Sequence, residues 1–344
     1  MAARLRVVIA TPLEEELVAL IAEREPRLEI AHRPELMAPA SADWMVRPER
    51  DDAQQAEYEA YLDGGEALFG VPDQSGRALA AAIGRNPALR WVHTIPAGGG
   101  AQVRAARLDE AALERVAFTT SAGVHAQPLS EFALLGVLAG FKHLPRLREA
   151  QGRREWAHRE PMVSLTESRV AVVGLGGIGR RTASLLSGLG VEVIGVHRRE
   201  VEADVARIEP VERLGEVLAG CDAVVLALPA TDATRHMLNR EVLAKAKPGI
   251  AVVNVGRGTT IDEAALVEAI ERGQVGSATL DVTEVEPLPA ESPLWGLEQV
   301  VIAPHTAAIS PHEPRRIAEL FADNASRLLD GRPLRNLVDT VEFY

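Results

Sequence analysis

Runs of four to six β-branched and aliphatic residues recur along the chain, separated by longer stretches whose apolar residues return with helical spacing. The first set of runs is Leu5 to Ala10, Leu28 to Ala31, Ala67 to Val71, Trp91 to Ile95 and Val116 to Thr120. A second, sharper set is Arg169 to Val173, Glu192 to Val196, Ala223 to Leu228, Ile250 to Val255, Ser277 to Val282 and Val300 to Ala303. Strands alternating with helices predict parallel sheets covered by helices, hence an α/β protein with two doubly wound domains. Six strands in the second set is the count expected of a dinucleotide-binding domain.

Between the sets, Pro128 to Leu147 carries a long apolar helical pattern, then an arginine-rich stretch with Trp156, and reads as a connection or an oligomerisation arm. Ala38 to Gly65 is polar and acidic, with a helical patch at Asp52 to Leu62, and reads as a surface insertion or lid-like excursion. Arg315 to Leu329 forms one amphipathic helix, too short for a domain, that packs back on the first domain. The chain is therefore expected to cross between domains twice, giving a discontinuous domain of residues 1–123 and 309–344 around a continuous one of 124–308.

Composition narrows the function. At 344 residues the chain exceeds one ordinary core, and 47% apolar with 25% charged residues is globular. A net charge of -12 repels polyanions, so nucleic acid is excluded as a partner. Val7 to Ala10 is too short for a membrane span or a signal-peptide core. Cys221 stands alone, so neither an internal disulfide nor a cysteine-rich metal site can form, and no metal is expected. These features point to a cytoplasmic protein. The three lysines, Lys142, Lys245 and Lys247, include no good candidate for a buried Schiff base, which argues against pyridoxal chemistry.

Gly174-Leu175-Gly176-Gly177-Ile178-Gly179 follows the apolar run ending at Val173 and opens a helical stretch. That is the context a dinucleotide pyrophosphate needs: a tight turn, a close backbone approach, and a helix N-terminus with free N–H donors. At the end of the next strand, where a ribose-binding carboxylate would signal NAD, stand His197, Arg198 and Arg199. A carboxylate would repel a 2′-phosphate and two guanidinium groups would clamp it, so NADP is preferred, with NAD possible.

Arg257, Glu286 and His305 each lie just beyond the carboxyl end of a predicted strand. In an open parallel sheet ligands bind outside those ends, so the three converge on one crevice. Reducing a 2-oxo acid requires a cation for the carboxylate, a proton donor for the carbonyl oxygen, and a hydride. Arg257 suits the first, and His305, oriented and made more basic by Glu286, suits the second. Read blandly, the arginine is a surface ion pair, Glu286 (or its neighbour Glu284) is solvated, and His305 bonds a backbone carbonyl, with His312 as a competitor.

At these residues the sequence resembles the D-isomer-specific 2-hydroxyacid dehydrogenases, the group that includes glyoxylate/hydroxypyruvate reductases. The resemblance rests on GLGGIG (174 to 179), LPATDATRHML (228 to 238), VVNVGRGTTIDEAAL (252 to 266), LDVTEVEPLP (280 to 289) and PHTAA (304 to 308), and is dense from about residue 122. It implies a Rossmann-type coenzyme domain, a flavodoxin-like substrate domain and a homodimer through the 128 to 158 arm. It places the catalytic arginine, glutamate and histidine at Arg257, Glu286 and His305. Leu228, Pro229, Thr234 and Val255 fall among the cofactor contacts, and Asp281 falls where the nicotinamide carboxamide is held. Ala97, Gly98 and Gly99 fall where backbone N–H groups bind the substrate carboxylate, together with Arg257 and His305. The implied activity is NAD(P)-dependent reduction of a small 2-oxo acid, of glyoxylate or hydroxypyruvate type, to the D-2-hydroxy acid. Glu286 in place of glutamine argues against formate dehydrogenase, and the absence of a regulatory domain weakens phosphoglycerate dehydrogenase. A nucleotide-sensing, corepressor-like binding protein on the same scaffold is the alternative from another class. Departures from the family pattern are His197 for an acidic residue, Gly99-Gly100 for a common Val-Asp, and Thr306-Ala307-Ala308 for a common Ile-Gly-Gly.

Overall fold

The computed structural model describes residues 4–38, 50–341 and 343. The chain divides into two compact units, Met1–Val124 with Ser310–Tyr344, and His125–Ile309.

The first unit runs β1 (Leu5–Ile9), α1 (Glu15–Arg24), β2 (Leu28–Ala31), α2 (Asp52–Leu62), β3 (Ala67–Phe69), α3 (Gly76–Arg85), β4 (Trp91–Thr94), α4 (Gly100–Ala106), α5 (Glu110–Arg115) and β5 (Ala117–Thr120). Its five strands pair in parallel in the order β2-β1-β3-β4-β5, the flavodoxin-like arrangement. The second unit runs α6 (Ala126–Phe141), α7 (Leu144–Gly152), β6 (Arg169–Val173), α8 (Gly177–Gly188), β7 (Glu192–Val196), β8 (Arg207–Glu209), α9 (Leu214–Leu218), β9 (Ala223–Leu226), α10 (Arg240–Lys245), β10 (Ile250–Asn254), α11 (Glu263–Glu271), β11 (Val275–Leu280) and β12 (Val300–Ile302). Its sheet, in the order β12-β11-β10-β9-β6-β7-β8, is parallel and of Rossmann type. The final helix, α12 (Glu313–Leu329), belongs to the first unit.

The inner strands of both sheets are largely apolar because both of their faces are covered, as parallel sheets demand. In the second unit β9 is buried at every position, with one core built around Leu226, Leu266 and Leu280 and another around Val170, Val225 and Val253. In the first unit α12 closes the core: Phe321 stacks on Trp91 with ring centroids 4.5 Å apart and meets Phe69 edge-on at 5.1 Å.

Three expectations need correction. The second sheet has seven strands, because β8 is a three-residue edge strand with a single aliphatic side chain, Ile208, too little for an apolar signal. The apolar stretch from Pro128 is not one helix. It breaks at His143, which takes a left-handed φ of 51°. Before the break, α6 buries Leu129, Ala133, Val137 and Phe141 against its own unit's sheet. There a Cβ at Gly136 would come within 2.8 Å of Val253, so the missing side chain lets helix and sheet approach closely. Lastly, the described part of Ala38 to Gly65 is not a surface excursion, and residues 39–49 lie outside the described residues. Helix α2 is locked by an Asp51–Gln54 capping box and buries Tyr58 and Leu62. The Tyr58 hydroxyl donates to the Ala10 carbonyl and the Tyr61 hydroxyl to that of Ile9. Arg50, stacked 3.7 Å over the Tyr58 ring, ion-pairs with Asp73.

Candidate functional site

The glycine loop joins β6 to α8, and its three glycines do different things. Gly174 adopts φ +93°, the left-handed turn that an L side chain resists. A Cβ on Gly176 would meet open space among the described residues, so the backbone there is exposed to a ligand. A Cβ on Gly179 would fall 1.8 Å from the Gly174 carbonyl oxygen, so only glycine lets helix and loop pack. The cap residue, Gly176, has no side chain to satisfy the first N–H groups of α8, those of Gly177, Ile178 and Gly179. Free donors at the positive end of a twelve-residue helix form an anion site, and they fit a pyrophosphate.

Beside the loop, the Leu175 N–H donates to Nδ1 of His197, which lies just past β7. Burial holds the His197 imidazole below its ordinary pKa, and the charges of Arg198, Arg180 and Arg199 lower it further. The sequence pointed to Arg198 and Arg199. Arg180, in the first turn of α8, is a third cation that it missed, because it lies seventeen positions before His197. A histidine held below its ordinary pKa by burial and by three nearby guanidinium charges fits a ligand phosphate where the adenosine ribose lies in this fold.

The remaining candidates of this unit gather along the same edge of the sheet. Leu228 and Pro229 follow β9, and a Cβ on Gly256 would lie 2.6 Å from the Leu228 N and O atoms. Thr234 closes the turn through its hydroxyl, which donates to the Pro229 carbonyl at 2.6 Å. Val255 is buried at the end of β10. Asp281, at the end of β11, is buried, and its Oδ1 accepts the N–H groups of Thr306 and Ala307, both at 2.9 Å. Its carbonyl accepts the His305 N–H at 2.9 Å. Asp281 thus stabilises a strained turn, for His305 sits at φ +53°, which a bulky residue adopts only when held there.

His305 Nδ1 meets Glu286 Oε2 at 2.8 Å. The carboxylate is an acceptor, so Nδ1 carries the proton and Nε2 is left facing away from Glu286. Glu286 Oε1 accepts the Thr283 N–H at 3.0 Å, which fixes the carboxylate plane. Arg257 is exposed, and its guanidinium donates to the Gly256 carbonyl at 2.7 Å. Its backbone is tied down by Asn254, fully buried at the end of β10, whose Nδ2 donates to the Arg257 carbonyl. The arrangement therefore couples His305 to Glu286 directly and leaves Arg257 at the neighbouring strand end, with no carboxylate paired to it among the described residues.

In the first unit, Ala97, Gly98 and Gly99 form the turn after β4 that leads into α4. Gly99 packs so closely that a Cβ would sit 1.7 Å from the Thr94 hydroxyl. Below this turn, fully buried His93 bonds the hydroxyls of Thr119 (2.8 Å) and Ser121 (3.2 Å), joining β4 to β5.

Residues 134–307 match the model of the D-isomer specific 2-hydroxyacid dehydrogenase NAD binding domain. The chain is 35% identical over 223 residues to an (S)-sulfolactate dehydrogenase of Chromohalobacter salexigens, covering 63% of this chain and 71% of that one. It is 31% identical over 242 residues to a glyoxylate reductase of Korarchaeum cryptofilum, covering 67% and 71%. A D-isomer specific 2-hydroxyacid dehydrogenase from Xanthobacter autotrophicus Py2, solved with NADPH and MES, superposes over the whole of both chains with a TM-score of 0.78 at 30% identity.

Proposed function

Since the chain belongs to the D-isomer specific 2-hydroxyacid dehydrogenase family, we propose that it reduces a short 2-oxo acid such as glyoxylate or hydroxypyruvate to the D-2-hydroxy acid with NADPH. The observation that carries the reading is the 2.8 Å bond between His305 Nδ1 and Glu286 Oε2, at the edge of the sheet that bears the glycine loop.

The chain's residues fit the cofactor. The N–H groups opening α8 hold the pyrophosphate, and Arg180, Arg198 and Arg199 hold the 2′-phosphate. Leu228, Pro229, Thr234, Val255 and Asp281 flank the rest. When bound, the dihydronicotinamide supplies the hydride. Arg257 pairs its guanidinium with the substrate carboxylate. His305 donates the Nε2 proton to the carbonyl oxygen as that oxygen gains charge, while Glu286 holds Nδ1–H and stabilises the imidazolium of the resting acid. In the oxidative direction the same nitrogen takes the proton back.

Exposed apolar side chains on and after α7, namely Leu144, Leu147, Trp156 and Met162, support a homodimer formed through this segment. The lone cysteine, Cys221, is buried and free, which suits a cytoplasmic enzyme.

The test is a panel of 2-oxo and 2-hydroxy acids with NADPH, NADH and their oxidised forms. Turnover of glyoxylate or hydroxypyruvate with NADPH is expected. Absence of turnover with every acid would leave the nucleotide-sensing alternative, and a clear preference for NADH would remove the 2′-phosphate assignment.

A further inference from the structure

Behind the His305–Glu286 pair lies a second layer of charge that the mechanism does not use. Glu286 ends the short segment that begins at Thr283, and three bonds hold that segment. The Thr283 N–H donates to Glu286 Oε1, the Thr283 hydroxyl donates to the Val285 carbonyl at 2.9 Å, and the Glu284 N–H donates to Oε1 of Glu263. The last of these reaches across to the first residue of α11, a helix already capped by Asp262, which accepts the Ala265 N–H. The same segment presses on the loop of Arg257: a Cβ on Gly258 would stand 1.8 Å from the Thr283 carbonyl oxygen.

Charged groups face this junction from every side. Arg235 and His236, which precede α10, contact Glu284 Oε1 at 3.1 and 2.7 Å. Glu284 and Glu286 come from the loop after β11, His305 from the loop after β12, Arg257 from the loop after β10, and Asp262 stands beside Glu263. Burial raises the Glu263 pKa, the nearby charges of Glu284 and Glu286 raise it further, and the bond from the Glu284 N–H opposes them. The carboxylate is held partly out of water, against two others, by the Glu284 N–H that it accepts.

We infer that Glu263 is a positioning residue for the His305–Glu286 pair: by accepting the Glu284 N–H it fixes the segment from which Glu286 reaches the imidazole. The inference rests on the reading of that pair as the acid-base machinery. Arg235 and His236 hold the Glu284 side chain outward, so its backbone N–H stays turned toward α11.

The experiment compares Glu263→Ala, which removes the acceptor, with Glu263→Gln, which keeps an amide oxygen there and removes the charge. For reduction of glyoxylate or hydroxypyruvate with NADPH, Glu263→Ala should lower kcat by up to about a hundredfold, the scale of a small misplacement of a catalytic group. Its Kd for NADPH, read by fluorescence, should stay unchanged, because the glycine loop lies at other strand ends. Glu263→Gln should recover kcat to within a few-fold. Wild-type kcat in Glu263→Ala, or equal losses in both variants, would overturn the proposal. Histidine-labelled NMR, with the His305 signal assigned by His305→Ala, reads the pair without turnover. A displaced His305 resonance in Glu263→Ala, restored in Glu263→Gln, is expected even if no 2-oxo acid is reduced. An unmoved resonance in both variants would overturn the positioning role alone.

Discussion

His93 gives the first unit a pH-dependent weakness that can be worked out in advance. Its ring is fully buried between β4 and β5, and burial alone pushes its pKa from 6.5 down to about 3. The unfolded chain therefore binds a proton that the folded unit refuses throughout the interval between those values. Stability is complete above the unfolded value and is lost as the pH falls through that window, at up to about 1.4 kcal/mol per pH unit. Between about pH 8 and about pH 5 the loss comes to about 2 kcal/mol, of the same order as a typical core mutation. Trp91 is the natural probe, being buried, stacked on Phe321, and bonded through Nε1 to the same Thr119 hydroxyl that His93 contacts. Urea unfolding followed by tryptophan fluorescence would compare wild type with His93→Gln at several pH values. The variant should be weaker at about pH 8, where two buried hydroxyls lose a partner, by about 1 to 3 kcal/mol. The gap should narrow by about 2 kcal/mol by about pH 5, because the variant has no imidazole to charge. Other titrating groups cancel in the difference. Parallel curves, with a constant gap across the range, would show that the His93 proton does not matter and refute the argument.

Other consequences are open to measurement. His305→Ala should lose at least about a hundredfold in kcat, as expected of a general acid, with NADPH affinity intact by fluorescence titration. Replacing Arg198 and Arg199 together by serine should raise KM for NADPH by about tenfold or more while leaving KM for NADH nearly unchanged, since each charge-assisted bond to phosphate is worth about 1.5 to 3 kcal/mol. Adding Arg180→Ala should widen that difference, and an unchanged NADPH to NADH ratio would remove the assigned role of all three. Phe321→Ala should cost the first unit about 3 to 5 kcal/mol, seen as an earlier loss of Trp91 fluorescence on heating.

Much of the fold was legible because parallel strands covered on both faces leave continuous aliphatic runs, as in Val170 to Val173 and Ala223 to Leu226. Legibility failed where burial was one-sided or sparse. Arg207-Ile208-Glu209 pairs only along one edge and has no apolar pattern to read. Helix α2 looks solvated because its neighbours are acidic, yet Tyr58 and Tyr61, one turn apart, carry it into the core with their hydroxyls satisfied by carbonyls. For the site, neighbouring strands in a parallel sheet bring their carboxyl ends together, so positions 286 and 305 could be set side by side from strand order. The geometry that holds them could not. The left-handed His305, the two hydrogen bonds that Thr306 and Ala307 donate to Asp281, and the reach of Glu263 to the Glu284 N–H depend on loop paths that no periodicity records.

The placement of α12 bears on how the protein is made. A ribosome releases Trp91 well over two hundred residues before Phe321, the ring that covers it. Throughout that interval the early sheet has its strands but not its lid of apolar side chains, whereas the central unit has every strand it needs as soon as Ile309 emerges. Translation therefore finishes the nucleotide-type sheet first and leaves the other waiting for α12. Pausing or truncation before α12 is made should strike the first unit selectively, leaving its core half covered while the other unit is complete.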